Sequence, residues 1–128
     1  MLVRDGMSTH VITIGPRHTL REAARTMSQR RVGAAVVGDP DMNGPGILTE
    51  RDIMDSIGRG EDPDVELAGE HLTADLVYAA PDWDLHRAAR AMVRGGFRHL
   101  IVLDGDEIAG MLAMRDIVRM WAPEHAPA

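Results

Sequence analysis

Cysteine is absent, so neither a disulfide framework nor thiol chemistry is open to this chain. Lysine is absent too. All fourteen basic residues are arginine, so any phosphate contact must come from a guanidinium fork or a histidine. Trp83, Trp121, Tyr78 and Phe97 are the only aromatic residues. They are too few for the stacked platforms that hold single-stranded nucleic acid, and they leave an aliphatic, methionine-rich core. No apolar run approaches the ~20 residues of a membrane span. The opening MLVRDGMSTH lacks the continuous apolar core of a secretory signal. The expected location is therefore cytoplasmic, with no membrane partner. A formal net charge of -6 lacks the basic field of a general nucleic-acid binder.

What is present is one stretch that occurs twice. Residues 44–57 read GPGILTERDIMDSI and residues 109–121 read AGMLAMRDIVRMW. Gly46 matches Gly110, Leu48 matches Leu112, Arg51 matches Arg115, Asp52 matches Asp116 and Ile53 matches Ile117, at a constant offset of 64. Each copy is a short apolar run, a polar turn, then an apolar-periodic segment headed by Arg-Asp. A strand running straight into a helix has this pattern. At 128 residues the chain has the length of one domain. A unit of about 60 residues is marginal alone, and two packed together account for the duplication.

The repeat extends upstream at an offset of 65. Residues 10–16 (HVITIGP) match 75–81 (DLVYAAP), both predicted strands stopped by proline. Thr19 and Asp84 are predicted N-caps, and Glu22 completes a capping box with Thr19. Leu20, Ala23, Ala24 and Met27 recur as Leu85, Ala88, Ala89 and Met92, each set on one helical face. Arg30-Arg31 and Gly95-Gly96 end those helices. Ala34 to Val37 and His99 to Leu103 follow as buried strands. Ile47-Leu48 and Ile108 to Leu112 are returning strands, and the final helices start near Glu50 and Met114. Short leading helices are expected at Val3 to Met7 and Val65 to Leu72. Each half thus reads strand, helix, strand, turn, strand, helix, with a parallel crossover and then a hairpin. The expected division is one repeat over 1–60, a second over 61–122, and a loose tail over 123–128. Residues 58–64 (GRGEDPD) are the polar link.

A tandem pair of such units resembles a CBS-domain pair, also called a Bateman module. Each has a Pro-ended strand, an LxxAAxxM-like helix and a closing G-[ILM]-L-[TA]-x-R-D-[IV] stretch. The likeness covers residues 1–121. It implies an α/β fold of the α+β type: tandem βαββα repeats about a pseudo-twofold axis, with two small mixed sheets flanked by helices. It also implies clefts between the repeats that bind an adenosine-containing ligand (AMP, ADP, ATP or S-adenosylmethionine). A homodimer joined through helices, a regulatory rather than catalytic role, and a regulated protein partner follow from it as well.

On this resemblance Thr49 to Asp52 matches a Ser/Thr-x-x-Asp ribose motif. The carboxylate oxygens of Asp52 suit a ribose diol, and the free amides of a helix start suit sugar or phosphate oxygens. The same residues equally read as an N-cap and its acidic partner. Asp116 keeps its register although Ala113 has lost the hydroxyl, which a pure capping role explains less well. The first repeat is therefore expected to bind better than the second. Arg98 and His99 are the implied ligand-facing pair before a buried strand, able to fork onto or donate to phosphate. Arg51 and Arg115 oppose the helix dipole, so each is expected to meet a phosphate or an Asp. Ile12, Ile14, Ala34, Val77 and Ala79 are candidates for an apolar purine surface, against the alternative of ordinary core.

Two other patterns bear on function. Residues 39–50 (DPDMNGPGILTE) fit the twelve-residue calcium-loop pattern. The segment before them reads as a strand instead of a helix, so an acidic hairpin turn is the expected structure. The six histidines show no paired ligand spacing, so no metal site and no cofactor are expected, and no nucleophile-base set is evident. His86 is read as part of a solvated face. The function that follows is an adenosine-ligand sensor. Its alternative is a ligand-free dimerisation or partner-docking module.

Overall fold

The computed structural model describes residues 1–42, 44–73 and 76–122. Its elements run α1 (Val3–Gly6), β1 (Thr13–Ile14), α2 (Leu20–Arg30), β2 (Ala34–Val37), β3 (Gly46–Thr49), α3 (Glu50–Gly58), α4 (Ala68–His71), α5 (Leu85–Gly95), β4 (His99–Asp104), β5 (Glu107–Ala113) and α6 (Met114–Trp121). The tail expected over 123–128 lies outside the described residues.

Helix boundaries follow the capping chemistry. Thr19 Oγ1 accepts from the amide of Glu22, and Glu22 Oε1 accepts from the amide of Thr19, both at 3.1 Å. Asp84 accepts from the amide of His86 at 2.7 Å. Both long helices end on a left-handed residue, Arg31 (φ 56°) and Gly96 (φ 71°). Gly96 takes that conformation without strain, whereas Arg31 crowds its own Cβ. The predicted faces point inward: Leu20, Ala23 and Met27 on α2, and Leu85, Ala88 and Met92 on α5, are all buried.

In the first repeat β1, β2 and β3 form a mixed sheet in that order. β1 pairs parallel with β2 across α2, and β2 pairs antiparallel with β3. β2 is buried along its whole length, as its unbroken AAVV run requires. In the second repeat β4 and β5 form an antiparallel pair with an irregularity between Val102 and Leu103. Of the strand expected over residues 75–81, Asp75 lies outside the described residues, and among the rest Ala79 makes a parallel bridge to Val102. Ala79 donates to Ile101 and accepts from Leu103, each at 2.9 Å, and Pro81 ends any ladder two residues later.

The chain folds as two compact units, Ile12–Leu76 and Met1–Val11 with the chain from Val77 on. Sequence repeats and spatial units are thus different partitions. The leading segments are exchanged reciprocally. Leu2 bridges Asp84 and Ser8 bridges Met111, while Leu67 bridges Thr19 and Thr73 bridges Ile47. Val3 is fully buried beside Leu85, Met92 and Leu112. Its counterpart Ala68 is fully buried beside Leu20, Leu48 and Ile53. Each leading helix closes the core of the other repeat.

Candidate functional site

The repeated strand-to-helix junction is built by the same bonds in both units. The first helical amide of α3, on Glu50, donates to Gly33 O at 2.9 Å, and that of α6, on Met114, donates to Arg98 O at 2.8 Å. Register pairs Ala34 with Thr49 and His99 with Ala113. The residues just before β2 and β4 therefore lie at the two helix mouths.

At the first mouth Thr49 and Asp52 form a complete capping box. The Thr49 amide donates to Asp52 Oδ2 at 2.8 Å, the Thr49 hydroxyl donates to the same oxygen at 2.9 Å, and the Asp52 amide donates to Thr49 Oγ1 at 3.2 Å. Both bonds to the carboxylate use Oδ2, and Asp52 Oδ1 accepts no hydrogen bond among the described residues. At the second mouth the Ala113 amide donates to Asp116 Oδ2 at 2.8 Å. Arg119 takes the other oxygen at 2.9 Å, and Asp116 is 9% exposed. Asp116, which a pure capping role was expected to explain less well, does cap the helix: a carboxylate at the third helical position reaches the N-cap amide without any hydroxyl. Arg119 went unforeseen, although an Asp-Arg pair three apart on a helix is a legible signal.

The remaining candidates divide by unit. Ile12, Ile14, Ala34, Thr49, Arg51 and Asp52 belong to one, and Val77, Ala79, Arg98, His99, Arg115 and Asp116 to the other. Ile14, Ala34 and Ala79 are buried core, Ile12 packs against core, and Val77 is 41% exposed. Arg51, Arg98 and Arg115 are exposed and His99 is half-buried. The expected Asp partner for Arg51 or Arg115 is not found: among the described residues neither makes an ion pair, and Asp116 pairs with Arg119 instead.

The acidic loop is a hairpin connection between β2 and β3, not a helix-flanked calcium loop. The Asp39 carboxylate already accepts from the Asp41 amide at 2.9 Å, an Asx turn. Asn43 lies outside the described residues. Among the described residues no helix is long and apolar enough to cross a membrane.

The CBS domain family model matches residues 3–59 and again 68–122. CBS domain-containing protein YhcV of Bacillus subtilis (strain 168) is 33% identical over 116 residues, 90% of this chain and 81% of that protein. The crystal structure of the CBS-domain containing protein ATU1752 from Agrobacterium tumefaciens matches with a TM-score of 0.85 at 29% identity, covering 94% of this chain and 93% of that one. The CBS domain pair of protein MJ0100, solved in complex with 5'-methylthioadenosine and S-adenosyl-L-methionine, matches with a TM-score of 0.84 at 22% identity, covering 94% of this chain and 95% of that one. The duplicated strand-to-helix junction, the two small sheets and these matches place the chain in the CBS domain family, as a tandem CBS domain pair.

Proposed function

We propose that this chain is a regulatory module that senses an adenosine-containing small molecule, with Thr49 and Asp52 of the first repeat holding the ribose. The observation that carries this reading is the unengaged Oδ1 of Asp52 at a helix mouth, beside the exposed Arg51. One oxygen secures the helix and the other is left to accept from a sugar hydroxyl, so structure and ligand need not compete for the same atom. Arg51 supplies a fork for a phosphate. In the second repeat both oxygens of Asp116 are engaged, which ranks that junction below the first. Support also comes from MJ0100, whose fold this chain shares and which holds adenosine compounds. Signalling to a regulated partner requires the ligand to bind one arrangement of the protein more tightly than another.

Calorimetry with AMP, ATP and S-adenosylmethionine tests the reading. Binding by at least one of them, lost in Asp52→Ala and kept in Asp116→Ala, supports it. Loss in Asp116→Ala with Asp52→Ala unaffected reverses the ranking, and no heat from any of the three sinks the sensor.

A specific observation favours the alternative of a dimerisation module. Met114, Val118 and Trp121 lie along one side of α6 and are 40%, 58% and 46% exposed, while Met54 and Ile57 are exposed on α3. Apolar side chains so placed on a final helix suit a second copy of the chain. A homodimer is compatible with both readings, so only the ligand panel separates them.

A further inference from the structure

We propose that Glu61, Glu66 and His71 form a binding site for a divalent transition ion of the zinc class, independent of the adenosine-ligand reading. One ligand atom from each lies within 4.8 Å of the others. All three belong to the unit Ile12–Leu76 and sit on the segment that folds back over α2 and α3.

The backbone around each ligand is pinned. The Glu61 amide donates to Ser56 O at 3.2 Å, the Glu66 amide to Asp62 O at 2.9 Å, and Glu66 O accepts from Leu20 at 2.9 Å. His71 closes α4, whose first residue, Ala68, is held by its amide on His18 O at 2.8 Å. The side chains are pinned as well. His71 is 10% exposed and its Nε2 points at Glu66 Oε1, 2.7 Å away. Glu61 Oε1 accepts from the hydroxyl of the fully buried Ser56 at 2.9 Å and from both Nε and Nη2 of Arg59. Its other oxygen accepts no hydrogen bond among the described residues and is the one left to face an ion.

Two carboxylates and an imidazole are the donor set of an open zinc site, where water completes the coordination. The nitrogen donor favours a borderline-soft ion over calcium or magnesium, which take oxygen. Ser56 and Arg59 orient Glu61 from behind, as outer-shell partners do. Arg59 pairs with Glu61, and its charge is outweighed by the two carboxylates. Without an ion the cluster is closed by the His71 to Glu66 contact, which an incoming ion replaces with bonds from both residues.

The full chain, stripped with chelator, is titrated with CoCl2, ZnCl2 and CaCl2 separately. Bound cobalt is read by its visible absorption, and zinc and calcium by calorimetry. The expected result is one cobalt or zinc per chain, with calcium at least about 10-fold weaker. His71→Gln and Glu61→Gln should each weaken cobalt and zinc by about 10-fold or more, since even a lost outer-shell partner has that effect. His86→Gln should leave both unchanged. Circular dichroism of the metal-free variants shows that each is folded, and the more exposed Glu61 serves should His71→Gln fail to fold. No visible cobalt spectrum, binding that survives both substitutions, or calcium bound as tightly as zinc would each overturn the assignment.

Discussion

Removing the hydroxyl of Thr49 turns the first helix mouth into a copy of the second, and the cost of that change can be worked from the bonds. Thr49→Ala loses the bond from the Asp52 amide to Oγ1 and the bond from Oγ1 to Asp52 Oδ2. It keeps the amide-to-carboxylate bond, which the second repeat shows standing without a hydroxyl. A lost N-cap of this kind costs about 1 kcal/mol. Asp52→Ala removes the carboxylate that accepts from the Thr49 amide, a charge-assisted bond worth about 1.5 to 3 kcal/mol, together with its interaction with the helix dipole. A cost of about 2 kcal/mol follows, roughly twice that of Thr49→Ala. Asp116→Ala should resemble Asp52→Ala, because there too the carboxylate alone holds the N-cap amide. The double variant Thr49→Ala/Asp52→Ala should fall short of the sum by about 0.5 kcal/mol, since the two side chains bond to each other. Urea unfolding followed by circular dichroism measures all four. The reasoning is refuted if Thr49→Ala costs as much as Asp52→Ala, or if Asp116→Ala costs less than Thr49→Ala.

Other perturbations have equally definite outcomes. An added Cβ on Gly110 would come 2.5 Å from the carbonyl oxygen of Ser8, a backbone atom that cannot swing aside, so Gly110→Ala should destabilise by about 2 kcal/mol in the same urea assay. At Gly58, the last residue of α3, nothing lies within 4 Å of an added Cβ, so Gly58→Ala should stabilise by about 0.5 kcal/mol. The Glu61 carboxyl is held below its usual range, first by the Ser56 hydroxyl and then by Arg59. A depressed carboxylate stabilises above its unfolded pKa, and that contribution disappears as pH falls through the folded value. Wild type should therefore lose stability below the ordinary glutamate range more steeply than Ser56→Ala, a difference that thermal melts between pH 7 and pH 3 would show. If two copies pair through α6, Val118→Glu at its exposed position should shift sedimentation toward monomer; an unchanged sedimentation profile would exclude α6 as such a contact.

Much of this architecture is legible in the sequence because it is local. Thr19 with Glu22 and Asp84 at its helix start are short-range bonds between neighbouring side chains and amides, so their spacing announces them. The inward faces of α2 and α5 follow from periodicity alone. What spacing does not encode is which partner a segment finds far along the chain. Val3 and Ala68 lie in the short helices that the sequence predicts, yet nothing in either stretch reveals that each closes the other repeat's core. The short strand before Pro81 has a related reason: an apolar run predicts burial, but a ladder needs a partner with matching free groups, and among the described residues of that run Ala79 bridges to one. At the site, residue pattern located both helix mouths but left capping and ligand readings of Asp52 tied. Only the allocation of individual carboxylate oxygens separates Asp52 from Asp116. Glu61, Glu66 and His71 stood five apart, a spacing that neither helix nor strand brings to one face, so the turn at Pro63 and the fold-back of α4 had to be seen before they could be grouped.

The reciprocal exchange of leading segments bears on how the chain is made. Residues 12–76 are one uninterrupted stretch that forms a compact unit, so it can close as soon as it leaves the ribosome. Residues 1–11 emerge before that stretch and yet must wait until after it, because Asp84 and Met111, on which they pair, are synthesised later. Val3 and Met7 are thus settled in their core only after α6, which supplies Ile117 and Met120, has been made.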